Sequence, residues 1–358
     1  MPMHNIFRPM KINKMIISNR FIRSATMDNL GKEGMVTDKQ IELYRKLSEG
    51  DIGLIISHGL FPTLEGQSSK GQLGVHTDET IASLNKLVNA VHENGGKIAA
   101  QILHGGFWVR PEVAGFQPIG PSAVYIKETG QQVRELASDE IHELVDSFVQ
   151  ASRRIIEAGF DAVQLHAAHG WLLSAFLSPV MNKRTDEWGG SPAKRARLLY
   201  EICKGIRDAA GPEYPILVKL GLQDYHEGGK SLSEGIEVAK IIESASVDAI
   251  EISGGIEKER GYHIRLNCTQ PYYLQECSMA RKALSLPLIL VGGMRRLQDM
   301  QSVLDEGIAD AISMCRPFIR DPLIVRKFRE GTTDYSDCNS CNLCLEQSRK
   351  GNIRCMLS

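Results

Sequence analysis

The sequence has no apolar run of the ~18 residues needed to cross a bilayer, and its opening, MPMHNIFRPMKINKM, lacks the apolar core of a secretion signal. It has no excess of charge of either sign: 42 Lys and Arg stand against 43 Asp and Glu, a formal net charge of -1. No long-range field therefore invites nucleic acid or an anionic membrane as a partner. Internal repeats and low-complexity linkers are absent, so nothing splits the chain into separate units. No Gly-x-Gly-x-x-Gly turn follows the first expected strand, which weighs against a doubly wound dinucleotide fold. What is present is 358 residues, 42% apolar and 24% charged, as in soluble globular proteins. The eight cysteines, with no export signal, fit a reducing cytoplasm in which thiols stay free or hold metal. A cytoplasmic enzyme is expected.

Short runs dense in Val, Ile and Leu recur at 21–26, 52–57, 97–103, 161–165, 215–220, 248–253, 287–291 and 309–314. Bounded by Gly, Pro or Asp, they read as parallel strands buried on both faces. Amphipathic helical patterns lie between them at about 38–50, 78–94, 138–158, 193–209, 233–246, 273–284 and 297–306, with a shorter one from near Pro322. Ser138 and Ser191 read as N-caps, and Gly50, Gly159 and Gly307 as C-terminal stops. This alternation predicts an α/β fold, a (β/α)8 TIM barrel over 1–330. The stretch 105–137 is too long and too rich in Gly and Pro for a simple connection, so a lid or insertion is expected after strand three. A cysteine-bearing tail follows at 331–358.

Catalytic groups of such barrels gather at the C-terminal ends of the strands, and phosphates bind after the last two. Those ends carry Thr26 and Met27, His58, Gln101 and His104, His166 and His169, Lys219, Ser253-Gly254-Gly255, Gly292-Gly293, and Cys315-Arg316. Glycines let backbone N–H groups approach a phosphate, and a guanidinium matches its geometry. Gln101 offers donor and acceptor to an imide edge such as that of a flavin. Lys219 could stabilise negative charge on a reduced ring, pair with a carboxylate at the barrel mouth, or serve an aldolase or lyase as Schiff-base nucleophile on a phosphosugar. His166 and His169 could donate to a substrate oxygen. As metal ligands they would need a third partner, and Glu251, inside its strand, is the only obvious carboxylate.

In this order these residues resemble the old yellow enzyme family of FMN-dependent NADH:flavin oxidoreductases. The resemblance rests on Asn19-Arg20-Phe21, AAQILHGG, HAAHGWLLSAFLSPVMNKRTDEWGGS, LVKLGLQDYHEGG, LVGGM and CRPFIRDP, and covers nearly the whole chain. It implies FMN at the barrel mouth, reduced by NADH or NADPH, with hydride passing from flavin N5 to an α,β-unsaturated carbonyl or another electron-poor small molecule. Ala25, Thr26 and Met27 would lie along the flavin, with His58 among the cofactor contacts and Gln101 on the pyrimidine edge. Lys219 takes the place of the arginine usual near N1–O2. Gly292, Gly293, Cys315 and Arg316 would bind the phosphate, and His166 and His169 the substrate oxygen. Three positions depart from the pattern: Met27, Lys219, and Trp171 where a proton-donating tyrosine usually stands. The proton then falls to Tyr262, His263 or water, or alkene reduction is not the main reaction.

Cys338, Cys341 and Cys344 follow at metal-site spacing, with Cys355 eleven residues on. Relatives resembling 2,4-dienoyl-CoA reductase and trimethylamine dehydrogenase carry a four-cysteine [4Fe–4S] cluster after the barrel, followed by a pyridine-nucleotide domain. Their second cysteine gap is one residue longer. The tail is expected to hold such a cluster, a zinc ion or free thiols; a cluster would exchange electrons with an outside donor, in a dehydrogenase or demethylase. Cys203, Cys268 and Cys277 read as structural. A homo-oligomer is compatible with the sequence.

Overall fold

Strands without a polar face must be covered on both sides, and eight such strands in sequence satisfy this by closing on themselves. The computed structural model, which describes residues 5–127, 130–256 and 266–357, has that closure. β1 (Phe21–Arg23), β2 (Leu54–Leu60), β3 (Ile98–Ile102), β4 (Ala162–Ala167), β5 (Ile216–Gln223), β6 (Ala249–Gly254), β7 (Leu288–Val291) and β8 (Ala311–Met314) form one closed barrel in chain order. Every neighbouring pair is parallel.

The helices alternate with the strands as their patterns predict: α1 (Asp38–Ser48), α2 (Glu79–His92), α3 (Ser138–Glu157), α4 (Pro192–Ala210), α5 (Leu232–Ser244), α6 (Leu274–Arg281), α7 (Leu297–Asp305) and α8 (Ile324–Glu330). Ser191 caps α4, accepting from Lys194 N at 3.4 Å. Ser138 corrects the sequence reading: it is the first residue of α3, and Ala137 is the N-cap. There the Glu140 carboxylate accepts the Ala137 N–H at 2.8 Å, and Asp139 Oδ1 accepts the Glu140 N–H at 3.0 Å, the bond that an alanine side chain cannot make. Gly159 and Gly307 adopt the left-handed φ expected after a helix, at 90° and 67°.

The barrel interior is layered. Its floor is apolar, built from Ile22, Leu54, Ile56, Ala99, Ala162, Leu217, Ala249, Ile289 and Ala311. Beneath the floor an antiparallel hairpin, Met10–Ile12 with Met15–Ile17, adds Met10, Ile12, Met15 and Ile17 to the same cluster and plugs the barrel. Above it lies a level of buried polar groups, Ser24, Gln101, Gln164, Lys219, Glu251 and Ser313. The register puts Gln101 beside Gln164, and Lys219 beside both His166 and Glu251. The expected insertion between β3 and α3 contains a small sheet of Ile119–Gly120, Gln131–Glu135 and Val124–Ile126. Among the described residues no helix is long and apolar enough to cross a membrane.

Candidate active site

A cleft of about 1200 Å³, counting its open mouth, occupies the C-terminal end of the barrel. Its walls include Ala25, Thr26, Met27, His58, Gln101, His166, His169, Trp171, Lys219, Gly292, Gly293, Cys315 and Arg316, so the strand-end residues do converge. Tyr262 and His263 lie outside the described residues.

The histidine pair is held from two strands. His166, on β4, accepts the Ala168 N–H at Nδ1 (3.3 Å), which leaves the proton of a neutral ring on Nε2. His169 stands at φ 63°, a left-handed conformation that costs a non-glycine residue roughly 1–2 kcal/mol. Two contacts with the end of β6 hold it there: its N–H donates to Gly254 O at 3.0 Å, and Nε2 lies 2.7 Å from Ser253 Oγ. The two rings meet edge to face at 4.9 Å between centroids, and Trp171 stands 6.4 Å from His166.

At the opposite end, Gly292 and Gly293 have φ of 100° and 78°. A Cβ on Gly292 would fall 2.4 Å from the Tyr272 ring, and one on Gly293 would fall 1.7 Å from Gln270 O. Only glycine fits, and the bare backbone N–H groups with the Arg316 guanidinium make a cradle suited to an anion. Arg316 is buried and donates to Asn342 Oδ1 at 2.7 Å. Thr26 Oγ1 lies 3.2 Å from Cys315 Sγ, joining the ends of β1 and β8.

Lys219 is 4% exposed, donates to Ser24 Oγ at 2.7 Å, and sits 3.4 Å from Glu251 Oε1. Glu251 is thus the partner of Lys219 and not a ligand beside the histidines. His58 meets the cleft wall, while its Nδ1 is directed to Asp28, 3.4 Å away. Burial alone would raise the Asp28 pKa, but hydrogen bonding and charge from His58, then Arg23 and the Leu30 N–H, hold it below the ordinary carboxylate range. His104 is not part of the cleft wall: burial pulls its pKa down to about 3, and Nδ1 accepts the Gly106 N–H at 3.1 Å.

The tail folds onto the barrel. Asn342, Cys344, Leu345, Ser348 and Ile353 line the cleft, and Ser348 Oγ donates to Met27 O. Cys338, Cys341, Cys344 and Cys355 surround a neighbouring cavity of about 280 Å³, so Cys344 borders both spaces. Burial, with Cys315, Cys338 and Cys341 close by, pushes the Cys344 thiol up to about 12. Arg295, 3% exposed, donates to Cys338 O at 2.5 Å, Met294 O at 2.6 Å and Ser340 Oγ at 2.6 Å, and lies 3.6 Å from Cys338 Sγ. Among the described residues no three His, Cys, Asp or Glu side chains close on one point as ligands of a single ion. The four thiols instead ring a space.

Ser24, Arg295, Ser313 and the tail contacts are wall residues that the sequence reading missed, whereas Ser253 lines the cleft from the strand end where it was expected. Ser24 and Ser313 could have been found by alternation, since each faces inward two residues beyond a floor residue, Ile22 and Ala311. For Arg295 and the tail no local signal exists.

The chain matches the model of the NADH:flavin oxidoreductase / NADH oxidase family over residues 5–334. It is 34% identical to an NADH oxidase of Thermoanaerobacter brockii, over 95% of this chain and 53% of that protein. A 2-naphthoyl-CoA reductase complex superimposes with a TM-score of 0.92 at 31% identity, covering 99% of this chain and 57% of that one. The old yellow enzyme homologue of Zymomonas mobilis does so at 0.81 and 27% identity, over 99% of this chain and 100% of that one. The chain therefore spans about half the length of the first two.

Proposed function

Since the chain belongs to the NADH:flavin oxidoreductase / NADH oxidase family, which includes the old yellow enzymes, we propose that it is an FMN enzyme charged by NADH or NADPH. It delivers hydride to an electron-poor carbon, with α,β-unsaturated carbonyl compounds as the substrate class. One observation carries this reading: a glycine–arginine cradle, a glutamine amide, a buried ammonium and a histidine pair all open on one cleft. The donor set fits FMN, with Gly292, Gly293 and Arg316 for its phosphate and Gln101 and Lys219 for its pyrimidine end. When bound, FMN supplies the hydride-accepting and hydride-donating centre.

The chain's own part is positioning and electrostatics. The Nε2–H of His166, with His169 held against Ser253, donates to the substrate oxygen, where negative charge develops as hydride arrives at the conjugated carbon. Lys219 favours negative charge at the far end of the ring. Trp171 borders this site with an indole N–H, which is no practical acid, so the completing proton comes from Tyr262, His263 or water. The aldolase reading loses ground because the Lys219 ammonium, bonded to Ser24 and close to Glu251, is a poor amine nucleophile.

For the tail, the spacing of Cys338, Cys341, Cys344 and Cys355 and their shared lining of one cavity beside the cleft support a [4Fe–4S] cluster held by the four thiols. Such a cluster would supply one-electron exchange with an outside donor.

Anaerobic purification followed by visible spectroscopy tests both assignments. Oxidised-flavin bands, bleached by NADH or NADPH and restored by an enone, enoyl thioester or nitro compound, are expected. A colourless protein that releases no FMN on denaturation overturns the flavin assignment. Iron and sulfide should be present and vanish in Cys338→Ser/Cys341→Ser while FMN stays; their absence from the wild type ends the cluster assignment.

A further inference from the structure

Glu251 and Gln164 are completely buried in the polar level of the barrel and do not reach the cleft, yet each touches a residue that does. Glu251 Oε1 accepts from Ser24 Oγ and Ser313 Oγ, both at 2.8 Å, with the Lys219 ammonium 3.4 Å away. Its Oε2 accepts from Gln164 Nε2 at 3.0 Å. Every bond at Glu251 is one it accepts, the pattern of a carboxylate. The charge that Lys219 brings to the cleft is therefore offset from below.

The carboxylate also fixes a sequence of amides. Because Glu251 takes the Gln164 amide nitrogen, the Gln164 oxygen is left for its other neighbour and receives Gln101 Nε2 at 2.7 Å. Gln101 must then turn its own oxygen away from Gln164. That Oε1 lies beside the cleft-lining Gly59, 3.2 Å from where a Cβ there would stand. An acceptor is the polarity that the imide N–H of an oxidised flavin requires, and an inverted amide would set donor against donor.

We propose that Glu251 is a positioning residue: through Lys219 it sets the charge, and through Gln164 the hydrogen-bond polarity, that the cleft presents to the flavin pyrimidine ring. The inference rests on the FMN reading and assigns that site a control lying out of contact with the cofactor.

The test is Glu251→Gln, which removes the charge and keeps the shape. The flavin midpoint potential, measured anaerobically against a reference dye, should rise, because Lys219 then stabilises the reduced, anionic ring without opposition. The reduced-to-oxidised ratio at a fixed potential should increase about tenfold, a shift of about 30 mV for a two-electron couple. Lys219→Gln should move the midpoint in the opposite direction. A Glu251→Gln protein that binds FMN with an unchanged midpoint overturns the proposal. Gln164→Met tests the amide arm and carries the test alone if Glu251→Gln does not fold. It frees Gln101 and should weaken FMN binding about tenfold; an unchanged FMN dissociation constant overturns it. Wild-type protein that takes up no FMN fails the underlying reading, an outcome distinct from both.

Discussion

Replacing Arg295 by Met should loosen the tail from the barrel while leaving the barrel folded. The methionine fills much of the same channel but cannot donate. Two buried carbonyls, Cys338 O and Met294 O, lose the donor that the structure gives them, while Ser340 Oγ keeps its bond to Cys268 O. Each orphaned carbonyl costs about 1–3 kcal/mol. Relief from burying a guanidinium offsets part of this, since burial, opposed by Cys338 and aided by Arg316, already pulls the Arg295 pKa below its ordinary value. A net loss of about 2–4 kcal/mol follows, and at 1.4 kcal/mol per decade the tail opens about thirtyfold to several hundredfold more often. Two backbone bonds report that opening: Ser336 N to Arg295 O and Asn267 N to Ser340 O, both 3.0 Å. Native-state hydrogen exchange, read by mass spectrometry, should show peptides across Asn267 and across 336–349 exchanging faster by that factor, with β5 unchanged as control. Equal exchange in variant and wild type would refute the claim that Arg295 pins the tail. Loss of protection in β5 would instead mean that the tail and barrel unfold as one unit.

Three further outcomes follow from the site. His166→Ala/His169→Ala should retain FMN and lose about 10²–10³ in kcat on an enone, the scale of removing donors to a developing oxyanion; unchanged turnover removes the pair from the reaction. Trp171→Tyr places a phenol where an indole stands and should raise enone reduction by up to about 10², within the range of general acid catalysis. A flat response in single-turnover reoxidation would mean that proton delivery is not limiting there. His104 makes stability fall with acid: folded, its pKa is about 3, below the ordinary 6.5, so it stays neutral while the unfolded chain gains a proton. Stability fully present above pH 6.5 is lost progressively towards pH 3, and His104→Gln should flatten that slope in denaturant titrations at successive pH values. An identical slope would show that other groups carry it.

The barrel was legible because its signal is local. Strands covered on both faces must be apolar at successive positions, and all eight were visible as such runs before any pairing was known. The hairpin Met10–Ile12 and Met15–Ile17 was not, since strands of three residues carry too little periodicity to stand out. Cleft-lining residues were legible where a place at a strand end implies a place at the mouth, as with Gln101, His166, Lys219 and Gly292. His58 shows the limit of that rule: it was expected at the end of its strand but lies inside β2, which runs on to Leu60, and its ring is directed to Asp28, a contact decided by α1 and the loop before it. Glu251 was noticed as a carboxylate and Lys219 as a residue able to pair with one, but that the two pair with each other follows only once β5 and β6 are in register. The tail is the extreme case. Ser348 and Met27 are 321 residues apart, and nothing near either announces the other.

That long-range contact ties two equilibria together. Asn342, Leu345 and Ser348 form part of the cleft wall only while the tail is docked. Whatever fills the cleft must then hold the tail down by the same factor by which the docked tail tightens its grip on that occupant. Resistance of residues 336–349 to a protease is therefore a measure of cleft occupancy, readable without a turnover assay.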